Sequence, residues 1–196
     1  LSPQKLDAMK KHGVNRFSLG VQSFSERALE AIGRPHTVKQ TQEAVELLKN
    51  NVENWNIDLI FAAADSTMDE WASDLEKALV YAPKHISTYC LTFESDTALF
   101  LKMLKGSKKR PSAQEEARFY LKTWEILRGA GMHHYELANF AQTGWECQHN
   151  WRTWQMNEWL GIGPSAASQL GLHRFSNVAD LGQWAAGIKV GKPALV

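Results

Sequence analysis

The sequence has little cysteine, almost no net charge and no long apolar run. Its 196 residues include two cysteines, Cys90 and Cys147, which excludes a disulfide framework or a four-thiolate metal site and indicates a reducing, cytoplasmic location. The 22 basic and 21 acidic residues give a formal net charge of +1, so no nucleic-acid partner is expected. The apolar runs are only a few residues long, and no integral membrane segment is predicted.

The sequence instead alternates between strand-like and helix-like segments. Strands are predicted at four places: Arg16–Gln22, Trp55–Phe61, His85–Leu91 and His133–Ala138. Helices are predicted between them, three of which open with capping-box patterns at Thr37, Thr67 and Ser112. Strands that are separated by helical crossovers favour an α/β fold with parallel strands. Four such units are too few to close a barrel, so the pattern indicates a small open sheet or a piece of a larger barrel.

The first two predicted strands carry polar side chains on one face. Gln22 shares a face with Ser18 and Gly20 on the first strand, and Asp58 shares one with Asn56 on the second. Parallel strands that are buried on both faces are normally apolar throughout. A polar face therefore indicates a wet or ligand-filled cavity at the carboxyl ends of the strands. The alternative is structural: Gln22 and Asp58 would cap helices or bond to backbone groups.

Six ordered blocks of sequence resemble one known family. The blocks are Gly13–Phe24, Ile32–His36, Ile57–Ile60, His85–Thr92, His134–Ala141 and Cys147–Asn150. Together, over about residues 1–178, they resemble the radical S-adenosylmethionine (SAM) family, and within it the oxygen-independent coproporphyrinogen III oxidase-like branch that includes the HemW-type haem chaperones. The resemblance implies a partial (β/α) radical SAM barrel, the second half, at residues 1–105. Residues 106–196 would form a C-terminal α+β extension with an HNxxYW-like segment.

The same resemblance assigns three residues to SAM. Gln22, Arg34 and Asp58 would occupy positions that contact this cofactor in the family. The chemistry is reasonable, because a guanidinium group can hold the methionyl carboxylate. A carboxylate and an amide at neighbouring strand ends can bond to the ribose hydroxyls. The alternative for Arg34 is a solvated cation at a helix end.

The sequence departs from the family in three places. It lacks the three-cysteine CxxxCxxC loop, which the resemblance places before the first residue, so this chain would not ligate the family's [4Fe–4S] cluster. Residues Ala62–Thr67 replace a glycine-rich stretch, which removes easy positive-φ turns. In the HNxxYW-like segment Thr153 replaces the tyrosine, while His149 and Trp154 are present. We therefore expect a protein related to coproporphyrinogen oxidases and HemW-type chaperones of tetrapyrrole metabolism, inactive as this chain.

A different class of function is a non-catalytic carrier of haem or porphyrin. Cys147 and His149 are soft donors two residues apart, and either could be an axial haem ligand beside the nearby tryptophans. The structural alternative is a packed histidine beside a buried thiol. In both functions the expected partner is a small-molecule tetrapyrrole. A third alternative is a truncated or decayed gene product, and an uncovered first strand predicts self-association unless an upstream segment covers it.

Overall fold

The computed structural model describes residues 1–63, 66–92, 97, 100–101 and 111–191. The chain divides into two compact units, residues 1–146 and residues 147–196. The domain boundary that the sequence predicts, between residues 105 and 106, lies outside the described residues. No helix in the described part of the chain is long and apolar enough to cross a membrane.

The first unit is a five-stranded sheet with helices between its strands. Its helices are α1 (Pro3–Lys11), α2 (Glu26–Ala31), α3 (Val38–Asn51), α4 (Met68–Val80) and α5 (Ala113–Gly129). Its strands are β1 (Phe17–Gln22), β2 (Trp55–Phe61), β3 (His85–Cys90), β4 (His133–His134) and β5 (Asn139–Ala141). The second unit contains α6 (Gln148–Trp154), β6 (Ala167–Leu170), β7 (His173–Ser176) and α7 (Leu181–Lys189).

Three helices begin at the residues that the sequence predicts. Thr37, Thr67 and Ser112 open α3, α4 and α5 as complete capping boxes. In each box the hydroxyl accepts a hydrogen bond from the backbone N–H three residues further on, and the Gln or Glu at that position accepts one from the N–H of the cap. A cap of this kind contributes about 1 kcal/mol to stability. Local sequence therefore sets where the crossover helices start.

The strand order of the sheet is β1-β2-β3-β5-β4, with β1 at one edge. The parallel pairing predicted from the sequence is confirmed for β1, β2 and β3. The predicted fourth strand at His133–Ala138 is wrong, because the chain bends after Tyr135 and returns as β5, which pairs antiparallel with β3 and β4. This hairpin buries Phe140 and Ala141, which the predicted strand would have left beyond its end.

The apolar side chains of the sheet face the helices. The buried cluster includes residues from each of the long elements: Leu6, Val45, Leu48, Ile57, Leu59, Phe61, Trp71, Leu75, Ile86, Leu127 and Phe140. Phe61 lies at its centre, with ring centroids 5.3 Å from Trp71 and 4.8 Å from Tyr120. Burying a side chain of this size stabilises the fold by roughly 2 kcal/mol. Helices therefore cover one face of the sheet, and the polar residues lie on the other.

The second unit is built on close backbone packing around Gly161. A Cβ atom at Gly161 would lie 2.2 Å from the carbonyl oxygen of Ala167, so only glycine fits there. The Gly161 N–H donates to Ser168 Oγ at 2.9 Å, and Asn177 Nδ2 donates to the carbonyl of Gly163 at 2.7 Å. These bonds hold the glycine-rich segment against the β6–β7 hairpin.

Candidate functional site

Polar residues lie at matching positions on neighbouring strands of the first sheet. Gly20 of β1 pairs with Asp58 of β2, which pairs with Ser87 of β3. The adjacent row consists of Ser18, Asn56 and His85. Residues two apart on a strand, and their partners across the sheet, point to the same side. We call the surface formed by these six residues the polar face.

Gln22 folds back over Gly20 at the carboxyl end of β1. A bulge separates the two residues in the register, and Gln22 adopts a left-handed backbone with φ +68°. A Cβ atom built on Gly20 would lie 2.6 Å from Nε2 of Gln22, so the glycine makes room for this amide. Gly20 pairs with Asp58 on the neighbouring strand. The Gln22 amide, which lies over Gly20, is therefore in the same row of the sheet as Asp58.

The Asp58 carboxylate is half-buried and bonded to side chains of the polar face. The Ser18 hydroxyl donates to its two oxygens at 2.9 and 3.1 Å, and Asn56 Nδ2 donates to Oδ1 at 2.6 Å. The structural alternative, in which Asp58 caps a helix, does not describe these contacts. A carboxylate has about four lone-pair positions, so Asp58 can still accept a hydrogen bond from a ligand hydroxyl.

Arg34 lies on an exposed loop that is tied to the end of β1. Its backbone N–H donates to the Leu29 carbonyl at 2.9 Å, which closes α2. Two residues further on, the ring N–H of His36 donates to the Val21 carbonyl at 3.3 Å. The structure therefore places the Gln22 amide over Gly20, the partner of Asp58, and the Arg34 loop at the same end of β1, with Arg34 exposed.

A cleft of about 650 Å³ opens between the start of α1, β1 and α3. Gly20, Val21, His36 and Thr41 are among the residues that line it. Its lining does not include Gln22, Arg34 or Asp58, so these three predicted residues do not share this cleft. Of the three, Asp58 belongs to the polar face, and the Gln22 amide lies over Gly20 of that face.

A buried carboxylate on α4 anchors the loop that follows Gln22. Asp74 Oδ2 accepts a hydrogen bond from the Ser23 hydroxyl at 2.5 Å, and Oδ1 accepts one from the Phe24 N–H at 2.9 Å. Burial raises the pKa of Asp74, and the hydrogen bond from Ser23 opposes that rise. The sequence analysis missed Asp74. The signal was present, since an acidic residue stands beside Leu75 on the otherwise apolar stripe of α4.

His85 is a second functional candidate that the sequence analysis missed. It is fully buried on the polar face, where Nδ1 lies 2.6 Å from Asn56 Oδ1 and Nε2 lies 2.7 Å from the Tyr135 hydroxyl. Burial, with a smaller contribution from the nearby Arg16 cation, lowers the pKa of His85 from 6.5 to about 3. The ring is therefore neutral at ordinary pH. A histidine at the start of an apolar strand was the available signal.

Cys147 and His149 lie at the start of α6 in the second unit. Cys147 is the N-cap residue and is buried, whereas His149 is exposed on the first turn. The Thr153 hydroxyl donates to the His149 carbonyl at 2.9 Å, so the residue in the family's tyrosine position bonds to its own helix. Two tryptophans of the same helix, Trp151 and Trp154, are 39% and 58% exposed. The imidazole of His149 is thus accessible beside exposed aromatic surface.

Known proteins are similar to this chain in sequence and in fold. Residues 1–78 match the model of the radical SAM superfamily. The chain is 38% identical over 172 residues to the heme chaperone HemW of Synechocystis sp., a match that covers 87% of this chain and 42% of that protein. It is 37% identical over 182 residues to the heme chaperone HemW of Lactococcus lactis, with coverages of 92% and 48%. The chain is therefore similar in sequence to proteins of the radical SAM superfamily.

Two further matches agree with this similarity. The chain is 35% identical over 166 residues to the mitochondrial radical S-adenosyl methionine domain-containing protein 1 of Mus musculus, covering 83% of this chain and 37% of that protein. The structure of coproporphyrinogen III oxidase (HemN) from Escherichia coli matches the fold with a TM-score of 0.79 at 21% identity, covering 100% of this chain and 48% of that one. This chain therefore has a fold found in HemN, and it spans about half the length of the curated relatives that it matches.

The groups present in this chain are compatible with SAM but not with an iron–sulfur cluster. The Asp58 carboxylate, with bonding capacity left over, and the Gln22 amide have the donor and acceptor groups that a ribose diol requires. A cluster requires several thiolates, whereas the sequence has two cysteines, Cys90 and Cys147, which lie in different units. Within the described residues, no three His, Cys, Asp or Glu side chains are grouped to hold a metal ion.

Proposed function

We propose that this chain binds the nucleoside and amino-acid parts of SAM at the carboxyl end of β1 and β2. Asp58 and Gln22 would bond to the ribose hydroxyls, and Arg34 would hold the methionyl carboxylate. The observation that carries the proposal is the position of the Gln22 amide over Gly20, on the same row as the Asp58 carboxylate. The match of residues 1–78 to the radical SAM superfamily supports SAM as the ligand.

The chain's own residues define what it does with the ligand. Asp58 can accept hydrogen bonds from a diol, and Gln22 can donate or accept them. The exposed guanidinium of Arg34 can form two parallel bonds to a carboxylate. In the superfamily SAM is a source of radical chemistry when an iron–sulfur cluster reduces it. Since the cysteines of this chain do not suit a cluster, we assign this chain binding and orientation alone.

We infer that the wider role is haem-related and resembles that of HemW. The support is the group of relatives at 35–38% identity that carry the name heme chaperone HemW, together with the HemN-like fold. A tetrapyrrole is accordingly the proposed partner. The proposal favours a chaperone-like role over an oxidase role, because sequence identity is higher to the HemW proteins than to HemN.

Calorimetric titration with S-adenosylhomocysteine tests the SAM site. This analogue keeps the ribose and the amino-acid group but lacks the sulfonium, so no redox step intervenes. Deleting a charge-assisted bond costs about 1.5–3 kcal/mol, so we expect roughly 10- to 100-fold weaker binding in Asp58→Ala and in Arg34→Ala. The control for Arg34 is Arg118→Ala, which removes an exposed arginine from α5. Wild-type affinity in both site variants would refute the assignment.

Gly20→Ala tests the placement of Gln22 without removing a functional group. The new methyl group would stand 2.6 Å from Gln22 Nε2 and must displace the amide, which is the end of a flexible side chain. We expect weaker binding of S-adenosylhomocysteine with little loss of stability. The matched control is Gly129→Ala, where a Cβ atom meets nothing within 4 Å. Equal affinity in the two alanine variants would show that the Gln22 position is unimportant.

The accessible imidazole of His149 favours a second candidate, a non-catalytic haem or porphyrin carrier. The carrier would bind haem, with His149 or Cys147 as an axial ligand to the iron. Trp151 and Trp154 would pack against the macrocycle. Haem titration followed by absorption spectroscopy tests it. We expect His149→Ala to shift the Soret band and weaken binding, whereas His173→Ala, another exposed histidine of the second unit, should not. Unchanged spectra in His149→Ala would exclude ligation by His149.

A further inference from the structure

A chain of side-chain hydrogen bonds crosses the polar face and ends at Asp58. The Tyr135 hydroxyl lies 2.7 Å from His85 Nε2, and His85 Nδ1 lies 2.6 Å from Asn56 Oδ1. Asn56 Nδ2 lies 2.6 Å from Asp58 Oδ1 and 2.5 Å from Ser18 Oγ. The participants come from three strands and from the connection between β4 and β5, so residues distant in sequence meet at one carboxylate.

The Asp58 carboxylate determines which group donates and which accepts in each of these hydrogen bonds. A carboxylate only accepts hydrogen bonds, so the Asn56 atom that faces Asp58 is its NH₂ group. Asn56 Oδ1 then faces His85 and accepts the Nδ1–H. A neutral imidazole with its proton on Nδ1 has a lone pair on Nε2, and the Tyr135 hydroxyl donates to that lone pair. Each bond therefore has one donor and one acceptor.

Burial makes this arrangement difficult to change. His85 is 0% exposed and Asn56 is 1% exposed, so water does not replace a lost partner. A buried polar group that loses its hydrogen bond costs about 1–3 kcal/mol. If the Asn56 amide rotated, its oxygen would face the Asp58 carboxylate and its NH₂ group would face the His85 N–H. One contact would then bring two acceptors together, and the other would bring two donors together.

We propose that Tyr135 and His85 are positioning residues for the ribose site. They hold the amide of Asn56 in one orientation, and Asn56 with Ser18 holds the Asp58 carboxylate where it accepts ribose hydroxyls. Neither Tyr135 nor His85 is assigned a contact with the ligand. This inference rests on the proposed function, because it requires Asp58 to bind the ribose. It goes further by assigning selectivity for an intact ribose diol to residues that do not contact the ligand.

Deoxyribose analogues of S-adenosylhomocysteine test the inference. The dissociation constants of the parent compound and of its 2′-deoxy and 3′-deoxy analogues are measured for the wild type, Tyr135→Phe and His85→Gln. We expect the wild type to prefer the intact diol about tenfold or more, and this preference to fall at least threefold in both variants. The control is Thr123→Val, which removes the buried bond from Trp71 on the helical side of the sheet and should keep the wild-type preference.

The possible results separate the inference from the proposed function. If the wild type binds S-adenosylhomocysteine with the expected preference and both variants keep that preference, the positioning role is wrong. If the wild type does not bind, or binds without preference for the diol, the proposed ribose site fails and the inference with it. A ¹⁵N spectrum of the His85 ring gives a reading that needs no ligand. We expect the proton on Nδ1, and a proton on Nε2 would overturn the proposal.

Discussion

Acidification should destabilise the first unit through His85 before most carboxylates are protonated. The folded protein keeps this ring neutral, because burial and then Arg16 lower its pKa from 6.5 to about 3. Unfolding exposes the ring and restores its ordinary pKa. Between these two values the unfolded state binds a proton that the folded state does not, so stability is lost as pH falls through this window and is present above it.

The size of the effect follows from the width of the window. When unfolding takes up one proton, each pH unit changes the free energy of unfolding by about 1.4 kcal/mol. Lowering the pH from 6.5 to about 5 should therefore cost ~2 kcal/mol, and crossing the whole window ~5 kcal/mol. A single domain is typically stable by about 5–15 kcal/mol, so the loss over the whole window is a large fraction of that stability.

Urea unfolding followed by circular dichroism measures this loss between about pH 7.5 and pH 5, a range above the ordinary carboxyl pKa values. Compared with the wild type, His85→Gln should be less stable at pH 7.5 but should lose ~2 kcal/mol less on acidification. The control His173→Gln changes an exposed histidine of β7 and should keep the wild-type slope. Arg16→Gln removes a nearby positive charge and should raise the pKa of His85 in part, so its loss of stability on acidification should level off at a higher pH than that of the wild type. Parallel pH profiles for the wild type and His85→Gln would refute the reasoning.

Four further substitutions test contacts around the site and in the second unit. Ala62 at the end of β2 has φ +58°, a conformation that glycine adopts without strain. The free energy of unfolding of Ala62→Gly should therefore lie within ~0.5 kcal/mol of the wild-type value, whereas Ala63→Gly at the next position should lower it by ~1 kcal/mol. Equal losses in urea titrations would contradict this. Asp74→Ala leaves the buried Ser23 hydroxyl and the Phe24 N–H without their acceptor, so thermal unfolding should show a loss of ~3 kcal/mol, and an unchanged midpoint would be inconsistent with the anchor. Gly161→Ala should accelerate amide hydrogen exchange in β6 and β7 without affecting β2, and uniform protection would show that the close backbone contact is not required.

Local signals predicted much of the first unit. The capping boxes gave the starts of α3, α4 and α5, because their hydrogen bonds join residues only three apart. The hairpin of β4 and β5 was not predictable in the same way. Six residues of strand-like sequence do not show where a chain turns, and the pairing of Asn139 depends on Ser87, which is far away in sequence.

The candidate site was predictable in part for the same physical reason. Asp58 and Gln22 stood out as polar residues on buried parallel strands, and the family resemblance then assigned them to SAM. Asp74 and His85 were missed because their partners are remote: Ser23 is 51 positions from Asp74, and Tyr135 is 50 positions from His85. Spacing rules describe neighbours along a helix or strand, and they do not reach contacts of this kind.

The most direct measurement for the central claim is a crystal structure of the protein with S-adenosylhomocysteine bound. The proposal predicts ribose hydroxyls within about 2.6–3.2 Å of the Asp58 carboxylate and the Gln22 amide, with the ligand carboxylate on Arg34. Ligand density elsewhere, with Asp58 still bonded only to Ser18 and Asn56, would contradict it.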